Sequence, residues 1–113
     1  MKCLPKNPSC YEPTNIQFTS GTTGLPKAAT LSHYNILNNG YQIGNRCRYT
    51  HHDNILLPVP FYHCFGMVLG SMAALTRGAG ITLVCEGFDP KKSLEAAHKY
   101  QCTSIYGVPT MFI

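Results

Sequence analysis

Thr19-Ser20-Gly21-Thr22-Thr23-Gly24-Leu25-Pro26-Lys27 concentrates four hydroxyls, two glycines and one lysine in nine residues. Glycines let the backbone turn so that amide groups face an anion, hydroxyls add neutral donors, and Lys27 supplies a positive charge. The stretch therefore predicts a phosphate-binding loop. A plain hairpin turn is the alternative, because Gly and Pro mark turns in many proteins, although such a turn seldom needs this many hydroxyls.

The flanking residues predict that this loop joins two strands. Asn15–Phe18 alternates polar and apolar side chains, which is the period of a half-buried strand, and Ala28–Leu31 follows the loop as its partner. Residues 1–14 contain three prolines and predict an irregular lead-in. The loop does not match the nucleoside triphosphatase P-loop, because two residues separate Gly24 from the lysine. It does not match a dinucleotide fingerprint either, since a strand and not a helix follows it.

Downstream of the hairpin, helix and strand patterns alternate. This alternation predicts an α/β fold with a mainly parallel sheet and crossover helices, to which the hairpin that carries the phosphate loop is added. The predicted elements are a helix from an N-cap at Ser32 to about Arg46, a strand at Ile55–Leu57 with Val59, a helix from Gly66 to Arg77 ended by Gly78, a strand at Ile81–Cys85, a helix capped by Asp89 that runs from Pro90 to about Gln101, a strand at Thr103–Gly107, and the first turn of a helix at Pro109–Ile113.

Apolar spacing predicts which faces of these elements are buried. The continuous apolar run at 55–57 predicts a strand covered on both faces, and the helix after Gly66 is apolar nearly all round, as in an internal helix of a larger body. The glycines at 40 and 44 weaken the first helix, which therefore needs tertiary packing to persist. The predicted inner faces are Ile36, Gly40, Ile43 and Cys47 in the helix after Ser32, and Leu94, Ala97 and Tyr100 in the helix after Asp89.

Composition narrows the classes of partner and compartment. Charged residues make up 12% of the 113 positions, about half the usual share, so some faces are expected to be covered by further protein. The formal charge of +4 suits an anionic ligand, but the basic residues form no long run and do not predict nucleic-acid binding.

The six cysteines show no zinc spacing, and no secretory signal precedes them. This pattern predicts reduced thiols in an intracellular protein, several of them in the core. A disulfide scaffold is the minor alternative. The longest apolar window is too short to span a bilayer.

A second motif supports a family resemblance. Pro60–Gly66, with the sequence Pro-Phe-Tyr-His-Cys-Phe-Gly, lies downstream of the hydroxyl loop, and Gly107–Thr110 follows later as a weaker third stretch. Together with Phe18–Lys27, these stretches resemble the signature motifs of the AMP-forming acyl-adenylate superfamily, which includes acyl-CoA synthetases, luciferases and the adenylation domains of peptide synthetases. Within that superfamily, the residues at 29–33 and at 62–64 look most similar to the medium-chain acyl-CoA synthetases of animal mitochondria.

The resemblance implies an ATP-dependent ligase that converts a fatty carboxylate first into an acyl-adenylate and then into an acyl-CoA thioester. It implies ATP with Mg²⁺, and coenzyme A as co-substrate. His63 would lie beside the reacting carboxylate and the α-phosphate, as a catalytic and substrate-binding residue, and Gly66 would give the acyl group room. The residues that would hold the departing pyrophosphate are Thr19, Ser20, Gly21, Thr22, Thr23, Gly24 and Lys27.

Other interpretations of these residues stay open. A lone histidine before an apolar helix is more often a core or capping group than a functional one, and His51-His52 fits a solvated turn. Ala28 stands where the superfamily usually has glycine, and an alanine at a position that requires positive φ would strain the loop.

The resemblance covers 15–113 as the central segment of an AMP-binding domain, incomplete at both ends, with the adenine, magnesium and ribose segments expected beyond Ile113. The chain is accordingly expected to be a fragment, inactive alone, of an enzyme whose remainder is its partner. Two alternatives are a free-standing nucleotide- or pyrophosphate-binding module and a non-functional truncated product. A mitochondrial location follows from the resemblance only.

Overall fold

A computed structural model describes residues 7–21 and 24–113. The chain divides into two compact units, one ending at Ile36 and the other running from Leu37 to Ile113. In chain order, the elements are β1 (Pro13–Thr19), β2 (Lys27–Ser32), α1 (His33–Arg46), β3 (Asn54–Leu56), a π-helix (Phe65–Met72), α2 (Ala73–Arg77), β4 (Gly80–Thr82), α3 (Pro90–Lys99), β5 (Ser104–Ile105) and a 3-10 turn (Pro109–Met111).

The predicted hairpin is present in the first unit. β1 and β2 pair antiparallel, with Thr19 opposite Lys27 and Gln17 opposite Ala29. β1 begins at Pro13, two residues before its predicted start, so the last two residues of the predicted lead-in belong to a strand. Residues 7–12 are irregular, as expected, and residues 1–6 of that lead-in lie outside the described residues.

Helix α1 begins where its capping signal predicted. The Ser32 Oγ accepts a hydrogen bond from the backbone N–H of Asn35 at 3.2 Å, and the Asn35 side-chain oxygen accepts the backbone N–H of Ser32 at 3.1 Å. This reciprocal arrangement satisfies donors that a helix start otherwise leaves without partners. The helix ends at Arg46, also as predicted.

The buried stripe of α1 was predicted correctly except at its end. Ile36 and Gly40 are buried and Ile43 is partly buried, but Cys47 is exposed in the turn after the helix. A Cβ on Gly40 would collide with the side chain and backbone of Met72, so the glycine permits close approach to the π-helix. Gly40 lowers the helix propensity of α1 but allows this close packing. The packing is the tertiary support that the helix was expected to need.

A three-stranded parallel sheet forms the centre of the second unit, with the order β4-β3-β5. Ile55 pairs with Ile81 on one side and with Ser104 on the other. Ile55 and Leu56 are fully buried, which confirms the predicted burial on both faces. Ile55 belongs to a core cluster with Tyr49, Leu57, Ala73, Ala74 and Ala79.

β4 and β5 are shorter than predicted. β4 ends at Thr82 and not at Cys85, and β5 contains only Ser104 and Ile105 of the predicted span from 103 to 107. Both are edge strands of this sheet, so their length is limited by β3, whose three residues are followed closely by Pro58. A proline cannot donate to the ladder, and pairing ends there.

The apolar helix after the second motif is present, but its first part is a π-helix. The segment continues as α2 to Arg77, and Gly78 ends it in the left-handed conformation with φ of 71°. The stop signal was therefore predicted correctly. The π geometry was not predicted, because hydrophobic spacing alone does not distinguish it from an α-helix.

Helix α3 begins at the predicted cap but buries a different face. The Asp89 carboxylate accepts the backbone N–H of Lys92 at 3.0 Å, and Pro90 is the first helical residue. The predicted inner face of Leu94, Ala97 and Tyr100 is wrong at two of its three positions: Leu94 is 68% exposed and Tyr100 51% exposed, whereas Ala97 is partly buried. Ser93 and Ala96 are buried in their place, since small side chains let the helix axis approach the sheet.

The cysteines are free but not in the core. Cys10, Cys47 and Cys85 are exposed, and Cys64 and Cys102 are partly buried. The prediction of reduced thiols is consistent with these five, whereas the expected role of several as small core residues is wrong for them. Cys3 lies outside the described residues.

Candidate functional site

The candidate phosphate loop occupies the tip of the β1–β2 hairpin. Thr19 is the last residue of β1 and Lys27 the first residue of β2, and the two are paired across the strands. Both side chains are exposed, as is Ser20. Thr22 and Thr23 lie outside the described residues. The hairpin therefore presents hydroxyls and one cation at a single exposed turn.

Two glycines shape this turn. Gly21 has φ of 57° and Gly24 has φ of 83°, a region that residues with a Cβ rarely adopt. A Cβ on Gly21 would also contact the Leu25 carbonyl oxygen, whereas open space surrounds the corresponding position on Gly24. Gly21 is thus required both by its backbone angle and by the chain that folds back against it.

Ala28 is free of the strain that a loop position would impose. It lies in β2 opposite Phe18, and the described residues other than glycine that have positive φ are Arg48 and Gln101. The expected difficulty applied only if this position required a positive φ. Because it belongs to the strand, an alanine fits there.

His63 lies in the second unit, two residues before the start of the π-helix, and its side chain is exposed. Its Nδ1 accepts a hydrogen bond from the backbone N–H of Phe65 at 3.1 Å, which confirms the capping interpretation and excludes the core one. In a neutral imidazole whose Nδ1 accepts, the proton is on Nε2. The ring therefore keeps one donor for another group, and its functional role stays a prediction.

Gly66 is buried against the chain's own backbone. A Cβ there would meet the carbonyl oxygens of Pro60 and Val59 at 2.5 and 3.2 Å. The glycine therefore allows the π-helix to begin close to the segment that follows β3. The predicted space for an acyl group at this glycine stays a prediction.

A cleft of the second unit was not predicted from the sequence. It has a volume of about 740 Å³ and is lined mainly by apolar residues that follow β3 and β4, among them Phe61 and Tyr62 of the second motif. Glu86 contributes a carboxylate to the described lining, and Cys85 contributes a thiol. Ligands of open parallel sheets commonly bind beyond the carboxyl ends of the strands. The position of the second motif directly after the predicted strand at 55–59 was the signal that could have identified Phe61 and Tyr62.

Metal and membrane sites are not found in the described part of the chain. Residues 7–21 and 24–113 contain no group of three His, Cys, Asp or Glu side chains that could hold a metal ion. Nor does any helix among the described residues have the length and apolarity required to cross a bilayer. His51 and His52 are exposed in a turn with ring centroids 3.8 Å apart, as a solvated turn predicts.

Comparisons with known proteins agree with the sequence motifs. A model of the family described as "AMP-binding enzyme" matches residues 2–113. The chain is 50% identical over 112 residues, or 97% of its length, to the medium-chain acyl-CoA ligase ACSF2, mitochondrial, of Danio rerio. It is 47% identical over 104 residues, or 92% of its length, to the acyl-CoA ligase SID4 of Ajellomyces capsulatus. The chain spans 18% of the length of each of these two relatives.

Solved structures place the fold in the same group. The crystal structure of ATP-bound MatB from Rhodopseudomonas palustris superimposes with a TM-score of 0.83 at 31% identity, covering 93% of this chain and 20% of that one. A long-chain-fatty-acid-CoA ligase, FadD1 from Archaeoglobus fulgidus, gives a TM-score of 0.73 at 32% identity, covering 85% of this chain and 19% of that one. The α/β fold with a parallel sheet thus matches part of each of these larger structures.

Proposed function

Because this chain belongs to the AMP-binding enzyme family, we propose that it supplies the central segment of the AMP-binding domain in an acyl-CoA ligase. The complete enzyme would activate a fatty carboxylate with ATP, release pyrophosphate and transfer the acyl group from the adenylate to coenzyme A. The similarity to ligases of medium-chain acyl groups and to SID4 supports this reaction class. The remainder of the enzyme is the proposed partner of this segment.

The observation that carries the proposal is the exposed hairpin loop between Thr19 and Lys27. Its backbone turns through two left-handed glycines, the described hydroxyl residues Thr19 and Ser20 are exposed, and its lysine lies at the base of the turn. These donors fit the oxygens of a polyphosphate, because neutral hydroxyls and a lysine can together stabilise the negative charge of the phosphates. The residues assigned to the β- and γ-phosphates and the departing pyrophosphate are Thr19, Ser20, Gly21, Thr22, Thr23, Gly24 and Lys27.

His63 is assigned to the reacting carboxylate and α-phosphate. With Nδ1 engaged by the Phe65 N–H, the ring can donate from Nε2 to an oxygen of either group. A donor aimed at the oxygens on which charge increases favours the transfer step, since such reactions depend on positioning and electrostatic stabilisation. Gly66, three residues after this histidine in the chain, is assigned to the acyl group.

Three further assignments concern the complete enzyme. Mg²⁺ is proposed to accompany ATP and to neutralise phosphate charge, and no described residue of this chain is assigned as its ligand. Coenzyme A is the proposed acceptor of the acyl group. The mitochondrion is the proposed location, on the basis of the similarity to mitochondrial ligases.

The test is carboxylate-dependent ATP–pyrophosphate exchange by the polypeptide translated from the complete reading frame that contains this chain. Lys27→Ala is expected to weaken pyrophosphate binding and to lower exchange about tenfold or more, because a charge-assisted hydrogen bond contributes roughly 1.5–3 kcal/mol. Lys91→Ala is the matched control, since that lysine is highly exposed on α3 and its ion-pair partner among the described residues is Glu95 of the same helix. We expect it to change exchange by less than about twofold.

Two results would contradict the proposal: no exchange with any carboxylate from acetate to long fatty acids, or equal losses for the two lysine variants. A second candidate function, a pyrophosphate- or nucleotide-binding module without catalysis, is favoured by the location of the loop in its own compact unit. That candidate predicts Lys27-dependent binding of pyrophosphate by calorimetry without any exchange activity.

A further inference from the structure

The helix after His63 has an unusual geometry that the proposed function leaves unexplained. Phe65–Met72 forms a π-helix, and at its end the backbone N–H of Ala73 donates to the carbonyl of Val68, five residues earlier. π-helical turns are rare and usually single, and they are frequent at functional sites. A π-helix of this length therefore needs specific contacts to persist.

Tyr106 supplies two of those contacts from the end of β5. Its hydroxyl donates a hydrogen bond to the carbonyl oxygen of Leu69 at 2.9 Å, in the middle of the π-helix. Its ring lies 5.4 Å from the ring of Phe65, centroid to centroid, at an interplanar angle of 56°, which is a favourable tilted geometry. The Tyr106 backbone N–H donates to the carbonyl of Leu56 at 3.1 Å, so the residue is anchored on the central strand of the sheet.

Phe65 connects these contacts to His63. The ring of Phe65 packs on Tyr106, and its backbone N–H donates to Nδ1 of His63. A shift of the first π-helical turn would therefore displace the donor that orients the imidazole and selects its tautomer. His63 is otherwise exposed, so few other contacts restrain its ring.

The Tyr106 hydroxyl keeps its proton over the whole physiological range. Burial raises the pKa of Tyr106 above its usual range, and hydrogen bonding to the Tyr49 hydroxyl adds to the shift. The donation to the Leu69 carbonyl is accordingly constant with pH. Any pH dependence that appears on removal of this hydroxyl must come from another group.

We propose that Tyr106 is a positioning residue, which holds the first turn of the π-helix through Leu69 and Phe65 and thereby fixes the orientation and tautomer of the His63 imidazole. The proposal rests on the proposed function in one respect: activity is read out as carboxylate-dependent adenylation. The orientation of His63 is a property of this chain and can be measured separately.

Tyr106→Phe is the informative variant, because it removes the hydroxyl and keeps the ring. In the polypeptide from the complete reading frame, we expect kcat for exchange to fall roughly three- to tenfold, as for loss of one hydrogen bond, with KM for ATP unchanged. Thr76→Val is the matched control: the Thr76 Oγ1 donates to the Met72 carbonyl at 2.8 Å, at the other end of the π-helix. Thr76→Val should lower the free energy of unfolding by about as much as Tyr106→Phe does, and it should leave kcat unchanged.

A double variant separates positioning from general loosening of the fold. If Tyr106 acts through His63, then Tyr106→Phe should cause no further loss of kcat in a His63→Ala background. Additive losses would overturn the proposal. An equal loss of kcat in Thr76→Val would overturn it as well.

The imidazole can also be observed directly, independently of activity. With ¹⁵N-labelled histidine, Tyr106→Phe should move the Nδ1 resonance of His63 away from that of a hydrogen-bonded acceptor, whereas Thr76→Val should leave it in place. An unchanged resonance in Tyr106→Phe overturns the positioning role even if exchange activity is present. If the parent protein shows no exchange but the resonance moves as expected, the proposed function fails and the positioning role stands.

Discussion

At the scale of single residues, Gly21 determines whether the hairpin loop can keep its shape. Its φ of 57° lies in the left-handed region, and a Cβ would contact the Leu25 carbonyl oxygen. Gly21→Ala is therefore expected to lower the free energy of unfolding by about 1–2 kcal/mol from the backbone angle, with a further cost from the contact. Gly24→Ala should cost only the first part, because the space around Gly24 is open. Thermal or denaturant unfolding of the variants measures this order.

Gly87→Ala is the control for the glycine comparison. Gly87 also faces open space, and its φ lies outside the left-handed region. Its replacement should be close to neutral. If Gly24→Ala costs as much as Gly21→Ala, the contact with Leu25 does not contribute.

The hydrogen bonds of Asp53 predict that the stability of the fold decreases at acid pH. Its carboxylate accepts the backbone N–H of Thr50 at 2.7 Å and the hydroxyls of Thr50 and Thr103 at 3.0 and 2.8 Å. These hydrogen bonds, with that from the Thr50 backbone the strongest, hold the pKa of Asp53 below its ordinary value of 3.8. A pKa that is lower in the folded state stabilises the fold above the ordinary value, and this contribution is lost as the pH falls through the lowered one.

Asp53→Asn should therefore flatten the fall in unfolding temperature on the acid side while the stability at neutral pH decreases. Unfolding temperatures recorded between about pH 2 and 6 test this expectation. Glu86→Gln, at an exposed carboxylate in the loop after β4, is the control for a change of charge alone. An unchanged acid slope in Asp53→Asn would show that the bonds from Thr50 and Thr103 do not favour the ionised carboxylate.

At the scale of elements, the glycines of α1 reverse the usual effect of a helical substitution. Alanine is favoured over glycine in a helix interior by about 1 kcal/mol. At Gly40, however, an added Cβ would collide with the side chain and backbone of Met72. Gly40→Ala is thus expected to destabilise the protein by roughly 1–3 kcal/mol, as in overpacked cores. Chemical denaturation gives the value.

Asn39→Ala provides the comparison within the same helix. Asn39 is exposed, so its substitution tests helix propensity alone and should stabilise the protein by a few tenths of a kcal/mol, about 0.5. Stabilisation by both variants would mean that α1 does not pack closely on the π-helix.

The positions of the elements, the buried stripe of α1 and the burial of β3 could be predicted from local signals, whereas the buried face of α3 could not. Ser32, Asp89 and Gly78 mark helix ends through hydrogen bonds and backbone angles that depend on neighbouring residues only. Which side of α3 meets the sheet depends on how closely two axes approach, and small residues such as Ser93 and Ala96 then replace larger apolar ones. The π-helix is contacted at Leu69 by Tyr106, which is far away in the sequence, and no local pattern encodes that contact.

The candidate site divides in the same way. The ends of the loop, Thr19 and Lys27, were predicted because strand alternation on both sides locates a hairpin tip. Two features could not be predicted from the sequence: the capping contact of His63 and the packing of Gly66 on Pro60. Both depend on the path of the chain between β3 and the π-helix. The cleft after β3 and β4 requires the parallel pairing of those strands.

At the scale of the whole molecule, a large share of the apolar surface is uncovered. Phe18, Leu25 and Leu94 are each more than 60% exposed, and charged residues form only 12% of the chain. Many exposed large apolar side chains on a chain with few charges favour association with further protein or aggregation. The 113-residue chain expressed by itself is therefore expected to bind an apolar dye such as ANS and to self-associate, as measured by fluorescence and light scattering.

A variant with Phe18→Thr and Leu25→Ser should reduce both signals, because these changes replace exposed apolar side chains of the hairpin. Thr30→Ser, an exposed change on β2 that keeps a polar side chain, should reduce neither. A monodisperse parent chain without dye binding would contradict the expectation.

Because β3 is the central strand of the sheet, its two edges are paired at different times while the ribosome synthesises the chain. β3 pairs with β4 on one edge and with β5 on the other, and β5 emerges from the ribosome about fifty residues after β3. At ordinary elongation rates, that delay lasts between about 2.5 and 10 s. During this interval one edge of the strand has no neighbour within the sheet and the apolar side chains of residues 55–57 are incompletely covered. Chaperone contacts with the nascent chain are accordingly expected to begin when residues 54–57 leave the exit tunnel and to end when Ser104 and Ile105 have emerged.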